Sequence, residues 1–332
     1  MSPPDAVHED PVFGTDITST PLPMGMTAAT PVPDDDRVTP TGGEVAGSGN
    51  MASQILHVFI ENKLAVVGVV IIVALILFCF VGPHVYHSDQ INQEAVLNNP
   101  SNSPPGKDYP LGTDGTGFDI LGRLMYGGQT SLFIGFASAA VATLFGVVFG
   151  AISGFFGGWI DALMMRAVDV LLSIPTLFLL IALVTIFHAS ELLIILVIAF
   201  VSWLVPARLI RGETLTLRIR EYVQAVKVMG GGRTRIIGRH IIPNSVGTIV
   251  VFATFQIADS ILLLAALGFL GFGVPAPGTD WGSMLSAGVD AAGNGWWWQI
   301  YPAGLAIIIV VVAFNFIGDA LRDSLEVRLQ SR

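Results

Sequence analysis

A chain of 332 residues that is 52% hydrophobic and only 12% charged does not read as a water-soluble globular domain, where about a quarter of residues carry charge. The net charge of −9 does not describe the whole molecule, because eight acidic residues fall in the first 50 positions against one basic residue, Arg37. A single cysteine, Cys79, excludes an intrachain disulfide.

Residues 1–50 are dominated by Pro, Thr, Gly and Asp, with almost no aromatic side chains. Such a segment cannot bury enough apolar area to offset chain entropy, so a disordered acidic tail is predicted. It lacks the basic and apolar regions of a secretory signal, which assigns it to the cytosol. Residues 51–332 form the predicted membrane domain. Its uncharged runs are Leu64–Pro83, Thr130–Ile160, Val170–Ser190, Leu192–Ala207, Ile241–Thr279 (broken only by Asp259) and Ala291–Gly318. The fourth has 16 residues, about 24 Å of helix against a hydrocarbon core of about 30 Å. Glu191 and Arg208 can snorkel at its ends. Spans are therefore expected near 64–84, 130–156, 166–188, 190–208, 243–271 and 300–320. The fold class is all-α and polytopic, with six transmembrane helices.

Six spans put both termini on one side, and Lys/Arg placement says which. With the termini inside, 14 of the 16 basic residues face the cytosol, and only Lys107 and Arg123 are outside. Eight of the 14 lie between spans four and five, from Arg208 to Arg239. This leaves external segments at 85–129 and 272–299 and a cytosolic segment at 209–242.

The cytosolic segment has a pattern as well as a charge. Tyr222, Ala225, Val226 and Met229 fall at i, i+3, i+4 and i+7, an apolar stripe on a helix. Arg220, Glu221, Gln224 and Lys227 take the other side. Gly230–Gly232 end that helix, and Arg233–Ile242 resume a helical pattern that feeds span five through Pro243. The stripe suits either a lipid-surface helix or a partner-docking helix. A nucleic-acid helix–turn–helix is excluded by tethering beside the bilayer and by the long glycine run.

The external segments carry turn signals at Pro104, Pro105, Pro110, Gly112, Gly115 and Gly117, then again at Pro275, Pro277 and Gly278. Asp114, Asp119 and Arg123 offer polar grip there, and Trp281 with Trp296–Trp298 suggests an interfacial belt. Asp259 is an intramembrane carboxylate, a residue type that marks pathways unless a neighbour satisfies it. It is read either as pathway wall or as a contact to a neighbouring subunit. No Lys-Ser/Thr follows the glycine run and no phosphate loop occurs elsewhere, so no nucleotide site is expected. No catalytic set and no metal site is expected either, since His84 and His87 lack further ligands.

Several of these words occur together in one known family. Gln224-Ala225-Val226, Gly230 and His240-Ile241-Ile242-Pro243-Asn244 resemble the EAA loop of ABC-importer permeases. "YPLGTDGTGFDILGRLMYGGQTSL" (109–132), "ISGFFGGWIDALMMRAVDVLLSIP" (152–175) and "LGFLGFGVPAPGTDWGSMLSAG" (267–288) are similar to segments of the C-type subunit of peptide/nickel permeases. The resemblance spans roughly residues 53–330 and excludes the tail. It implies a type I ABC importer transmembrane domain in the cell membrane, paired with a second homologous permease. It further implies two ATPase subunits below, which bind the ATP and Mg that this chain does not, and an extracytoplasmic binding protein above. The implied cargo is dipeptides or oligopeptides; nickel or another small solute in the same family, or a self-sufficient homo-oligomeric channel or secondary transporter, is the alternative. Glu221, Tyr222, Gln224, Ala225, Val226, Met229, Gly230 and Arg233 would dock the ATPase, Asp259 would face the pathway, and Asp114, Asp119, Arg123 and Trp281 would meet the binding protein. Three departures stand out: Gln224 for the family's Glu, Phe118 for an entrance Arg, and Leu264 for a Glu in span five.

Overall fold

The computed structural model describes residues 59–90, 96–187 and 190–330, with side chains as far as 325. The predicted tail at 1–50 lies outside the described residues. Among those described the chain is helical, and its one β feature is an isolated bridge between Thr113 and Asp119. The helices are α1 Lys63–Phe80, α2 Ile120–Phe156, α3 Gly158–Leu172, α4 Thr176–Phe187, α5 Glu191–Ser202, α6 Leu204–Leu217 and α7 Glu221–Val228. They continue as α8 Arg233–Ile236, α9 Val246–Phe269, α10 Trp281–Ala292 and α11 Tyr301–Gln330.

Local chemistry sets the starts. The side chain of Asn62 accepts from the amides of Leu64 and Ala65, that of Asp119 from Leu121 and Gly122, and that of Ser190 from Leu193. Each satisfies donors that a helix leaves orphaned at its first turn. Proline sets the bends. Pro206 removes an amide from the start of α6, and α5 and α6 meet at 43°. Pro175 separates α3 from α4, which meet at 85°. The region expected as a span over 166–188 is occupied by this sharply bent pair. Helices α1, α2, α9 and α11 are long and apolar enough to cross a membrane, and the two bent pairs would raise the number to six.

The organising element is α2. Its 37 residues extend about 55 Å, well beyond a bilayer core, and it packs against α1, α5, α6 and α9. The closest of these seams is with α6. Gly146, Gly150 and Gly154 recur every fourth residue and face the carbonyls of Trp203, Ala207 and Arg211. A methyl at Gly146 would lie 2.8 Å from the Trp203 oxygen and one at Gly154 2.7 Å from that of Arg211, with Gly150 tighter still. Lipid gives helices little hydrophobic reason to associate, so small residues that bring backbones together supply the contact energy. Beyond this seam, α1, α2, α9, α10 and α11 share one buried cluster around Ile261, Val310 and Trp281.

Candidate functional site

The two ends of α2 carry different chemistry. At its C-terminal end lies the Arg-rich segment. Arg218 closes α6 by donating its amide to the Thr214 carbonyl, and the chain then turns into α7. The Gln224 amide reaches back and donates to the carbonyl of Arg218 at 2.8 Å. A carboxylate at this position could not donate, and it would repel that oxygen. The departure to Gln therefore secures the corner between α6 and α7. At the far end of α7, Gly231 donates to Val226 O at 2.9 Å and Gly230 to Lys227 O at 3.0 Å, a Schellman closure. The closure needs a left-handed residue, and Gly230 supplies φ +79°.

The faces of α7 divide differently from the predicted stripe. Val223, absent from that stripe, is fully buried with Ile236 and Ile241, and Leu217, Phe155 and Val226 pack against them. Val226 is partly buried on that side, at the edge between the inward and outward faces. The reason is tertiary: α8 and the end of α2 offer an apolar wall on that side. Tyr222, Ala225 and Met229 remain exposed, joined by Val228 at 88% exposure, which the stripe did not include. Lys227 and Arg233 lie over the rings of Phe155 and Phe156 at 5.2 and 5.3 Å, tying α7 and α8 to α2. From Arg233 the backbone stays helical to Phe269 apart from a turn at Ser245, through a π-helical turn at Ile237–Ile241. Ile242 donates to Ile237 O five residues back, just before Pro243, which has no amide to give. Glu221 occupies the first turn of α7, where a carboxylate suits the helix dipole.

A neighbouring cluster was invisible to the stripe argument. Arg211 of α6 grips Asp161 of α3 with two hydrogen bonds, at 2.5 and 2.6 Å, and Ser153 of α2 donates to the same carboxylate. Arg208 pairs with Asp169, and Arg218 donates to Gly154 O at 3.0 Å. Arg208, Arg211 and Arg218 thus join α2, α3 and α6 individually. The available signal was the eight-residue spacing of Asp161 and Asp169, which puts both on one face of α3.

At the N-terminal end of α2 the polar residues mostly point inward. Asp119 is 2% exposed and spends its carboxylate on capping α2. Trp281 is 1% exposed, donates its ring N–H to Leu124 O at 2.9 Å and packs in the core. Neither side chain is available to meet a binding protein, and both expectations are corrected. Trp298 is also buried, donating to Thr113 O, so of the predicted belt only Trp297 stands half exposed. Asp280, fully buried, accepts from the amides of Val274 and Ser283 and holds the start of α10. Tyr86 is pushed up to about 12 by burial and, secondarily, by the Asp119 carboxylate.

Asp114 and Arg123 stay accessible but recessed, at 16% and 18% side-chain exposure. One Asp114 oxygen takes hydrogen bonds from Thr116 N, Thr116 Oγ1 and Phe118 N. The other sits 3.6 Å from Arg123 Nε, and the guanidinium stacks 3.9 Å from the centre of the Phe118 ring. Phe118, one of the three departures, thus acts as the platform for Arg123. Both charges line a cavity of about 550 Å³ between the segment after α1 and the segment containing α10.

Asp259 lies on an exposed face of α9 and makes no hydrogen bond or ion pair among the described residues. Leu264, another departure, is fully buried against α2 and α5, where a Glu would lack a partner.

Helices of membrane length, an Arg-rich corner running into α9 and a recessed cleft at the other end are features of a transport subunit. Residues 146–331 match the family described as "Binding-protein-dependent transport system inner membrane component". The chain belongs to this family. Residues 50–105 also match the "N-terminal TM domain of oligopeptide transport permease C". As an inner membrane component it is a multi-pass permease subunit. It is 40% identical over 272 residues to the oligopeptide transport system permease protein OppC of Bacillus subtilis, covering 82% of this chain and 88% of that one. It is 40% identical over 273 residues to the dipeptide transport system permease protein DppC of Alkalihalophilus pseudofirmus, with the same two coverages. A putative peptide permease protein of Brucella suis is 37% identical over 299 residues, 89% of this chain and 97% of its own.

Proposed function

We propose that this permease subunit pairs with a second permease to enclose a pathway for dipeptides or oligopeptides. An extracytoplasmic binding protein delivers the cargo, and two ATPase subunits drive the cycle. The peptide cargo is supported by the names of the relatives. ATP and Mg belong to the ATPase partners, and this chain contributes no catalytic residue and no cofactor site. Both termini and the Arg-rich segment lie in the cytosol, where fourteen of the sixteen basic residues then fall.

The observation that carries the reading is α7. It presents Tyr222, Ala225, Val228 and Met229 outward while Val223 and Val226 bind it to α8. A helix with apolar side chains on both an inward and an outward face is built to be held on one side and gripped on the other. The ATPase would take the outward face in a cleft, with Glu221 and the basic rim setting orientation. Because α7, α8 and the end of α2 share one apolar cluster, a pull on α7 is transmitted to α9 as rigid-body motion. Asp259 on α9 then faces the pathway or the second permease rather than lipid, where an unpartnered carboxylate is costly.

The test is a mild-detergent pull-down of the tagged chain from its own membranes. Recovery of a second permease and ATPase subunits is expected, and recovery of copies of this chain alone would reject the assembly. In a reconstituted transporter, Gly230→Pro and Glu221→Lys should hydrolyse ATP without moving peptide. Normal coupling in both would reject the α7 mechanism. Asp259→Asn should change the relative transport of cationic and neutral peptides, and an unchanged ratio would place Asp259 at the subunit contact.

A further inference from the structure

We infer that the cleft at the N-terminal end of α2 is itself a receiving site for the two charged termini of a short peptide. Arg123 takes the carboxylate and Asp290 the ammonium. This rests on the importer reading and assigns that importer a substrate site on this chain. The cavity, about 550 Å³, falls within the size range of small-molecule sites. Its walls are partly apolar, from Ile120, Met284 and Trp296, which suits peptide side chains without selecting among them.

The charges decide the ligand class. Arg123 has no hydrogen-bond partner among the described residues, and its Nε is buried. Its one ionic neighbour, Asp114, stands at 3.6 Å, beyond hydrogen-bonding range. That carboxylate is pinned by its three other bonds and cannot swing closer without breaking them. Phe118 fixes the plane of the guanidinium. Nε is thus shielded beside Asp114, and the oriented terminal NH groups are left as the donors for a carboxylate. Asp290 of α10, an exposed carboxylate, also lines the cavity. A guanidinium held only by a 3.6 Å ion pair and an exposed carboxylate in a single cavity offer partners to the two ends of a zwitterion. The recession of Arg123 and Asp114 fits cargo better than the surface of the protein that delivers it.

The probe is tri-alanine, titrated against the purified full-length chain in lipid nanodiscs and read by tryptophan emission, since Trp296 lines the cavity. Wild type should bind tri-alanine at least about tenfold more tightly than tri-alaninamide or N-acetyl-tri-alanine, the size expected for losing one charged hydrogen-bond pair. Arg123→Gln should lose the preference against the amide and keep that against the acetylated peptide. Asp290→Asn, at an exposed position where no buried contact is lost, should do the reverse. Wild type that ignores both modifications, or a folded Asp290→Asn that keeps both preferences, overturns the assignment. Intact peptide preferences in variants that have lost capture of the binding protein would give the cleft to that protein instead. A chain that discriminates peptide termini yet recovers no second permease or ATPase keeps this site and rejects the importer assembly. An assembly that transports peptide through a chain blind to both termini does the opposite.

Discussion

The two polar regions of this chain look alike as sequence and behave oppositely as structure. The Arg-rich segment around α7 and the segments before α2 and around α10 all lie between apolar runs and carry glycines and polar residues. In the first, large side chains stay outside, with Met229 at 77% exposure and Val228 at 88%. In the second, Asp119, Asp280, Trp281 and Trp298 are drawn in and spent on caps and packing. A polar segment with its groups already satisfied is architecture. One that leaves apolar groups in water is waiting for a partner.

Substitutions break this contrast in a graded way. The largest effect is expected at the seam from which both regions hang. Gly150→Leu drives a side chain into the Ala207 backbone, so destabilisation above about 3 kcal/mol and loss of folded protein from the membrane should follow. Yield and thermal unfolding in detergent measure it. Asp280→Ala should lower stability by about 2–4 kcal/mol, because the buried amides of Val274 and Ser283 lose their acceptor. Protease accessibility of the segment around α10 would report it first. Gly230→Val forces a branched residue to φ +79°, with about 1–2 kcal/mol expected as local fraying. Hydrogen exchange in α7 should rise without a change elsewhere. Met229→Ser should shift stability by less than about 0.5 kcal/mol, yet reduce recovery of ATPase subunits at least about tenfold. Equal recovery would mean that the exposed face of α7 is not the docking surface. The smallest effect is spectroscopic. The Tyr86 phenol should titrate near pH 12, and Asp119→Asn should bring it down, as followed by phenolate absorbance.

Charge and periodicity made much of this legible. The low charge fraction and the uncharged runs located the membrane helices, since hydrocarbon admits few alternatives to an apolar helix. Gly230 was readable as the end of α7, because few other residues close a helix in the left-handed region. The Gly146, Gly150 and Gly154 spacing was also there to be read, as close helix contact in lipid favours small residues at that interval.

What the sequence could not settle was where a side chain goes when two destinations are chemically equal. Val226 and Met229 belong to one apolar stripe, and only the wall formed by Phe155, Ile236 and Ile241 partly buried the first. Asp114 and Asp119 are both acidic residues in one turn-rich segment. One faces a cavity and the other caps a helix because α2 happens to start at Ile120. Gln224 reads as a lost carboxylate until the Arg218 carbonyl is found 2.8 Å away. Composition and period determined that this chain crosses a membrane and where along it the charge clusters. Tertiary packing alone decided which of those groups are spent and which remain for a partner, because a hydrogen bond or a buried contact depends on what stands opposite.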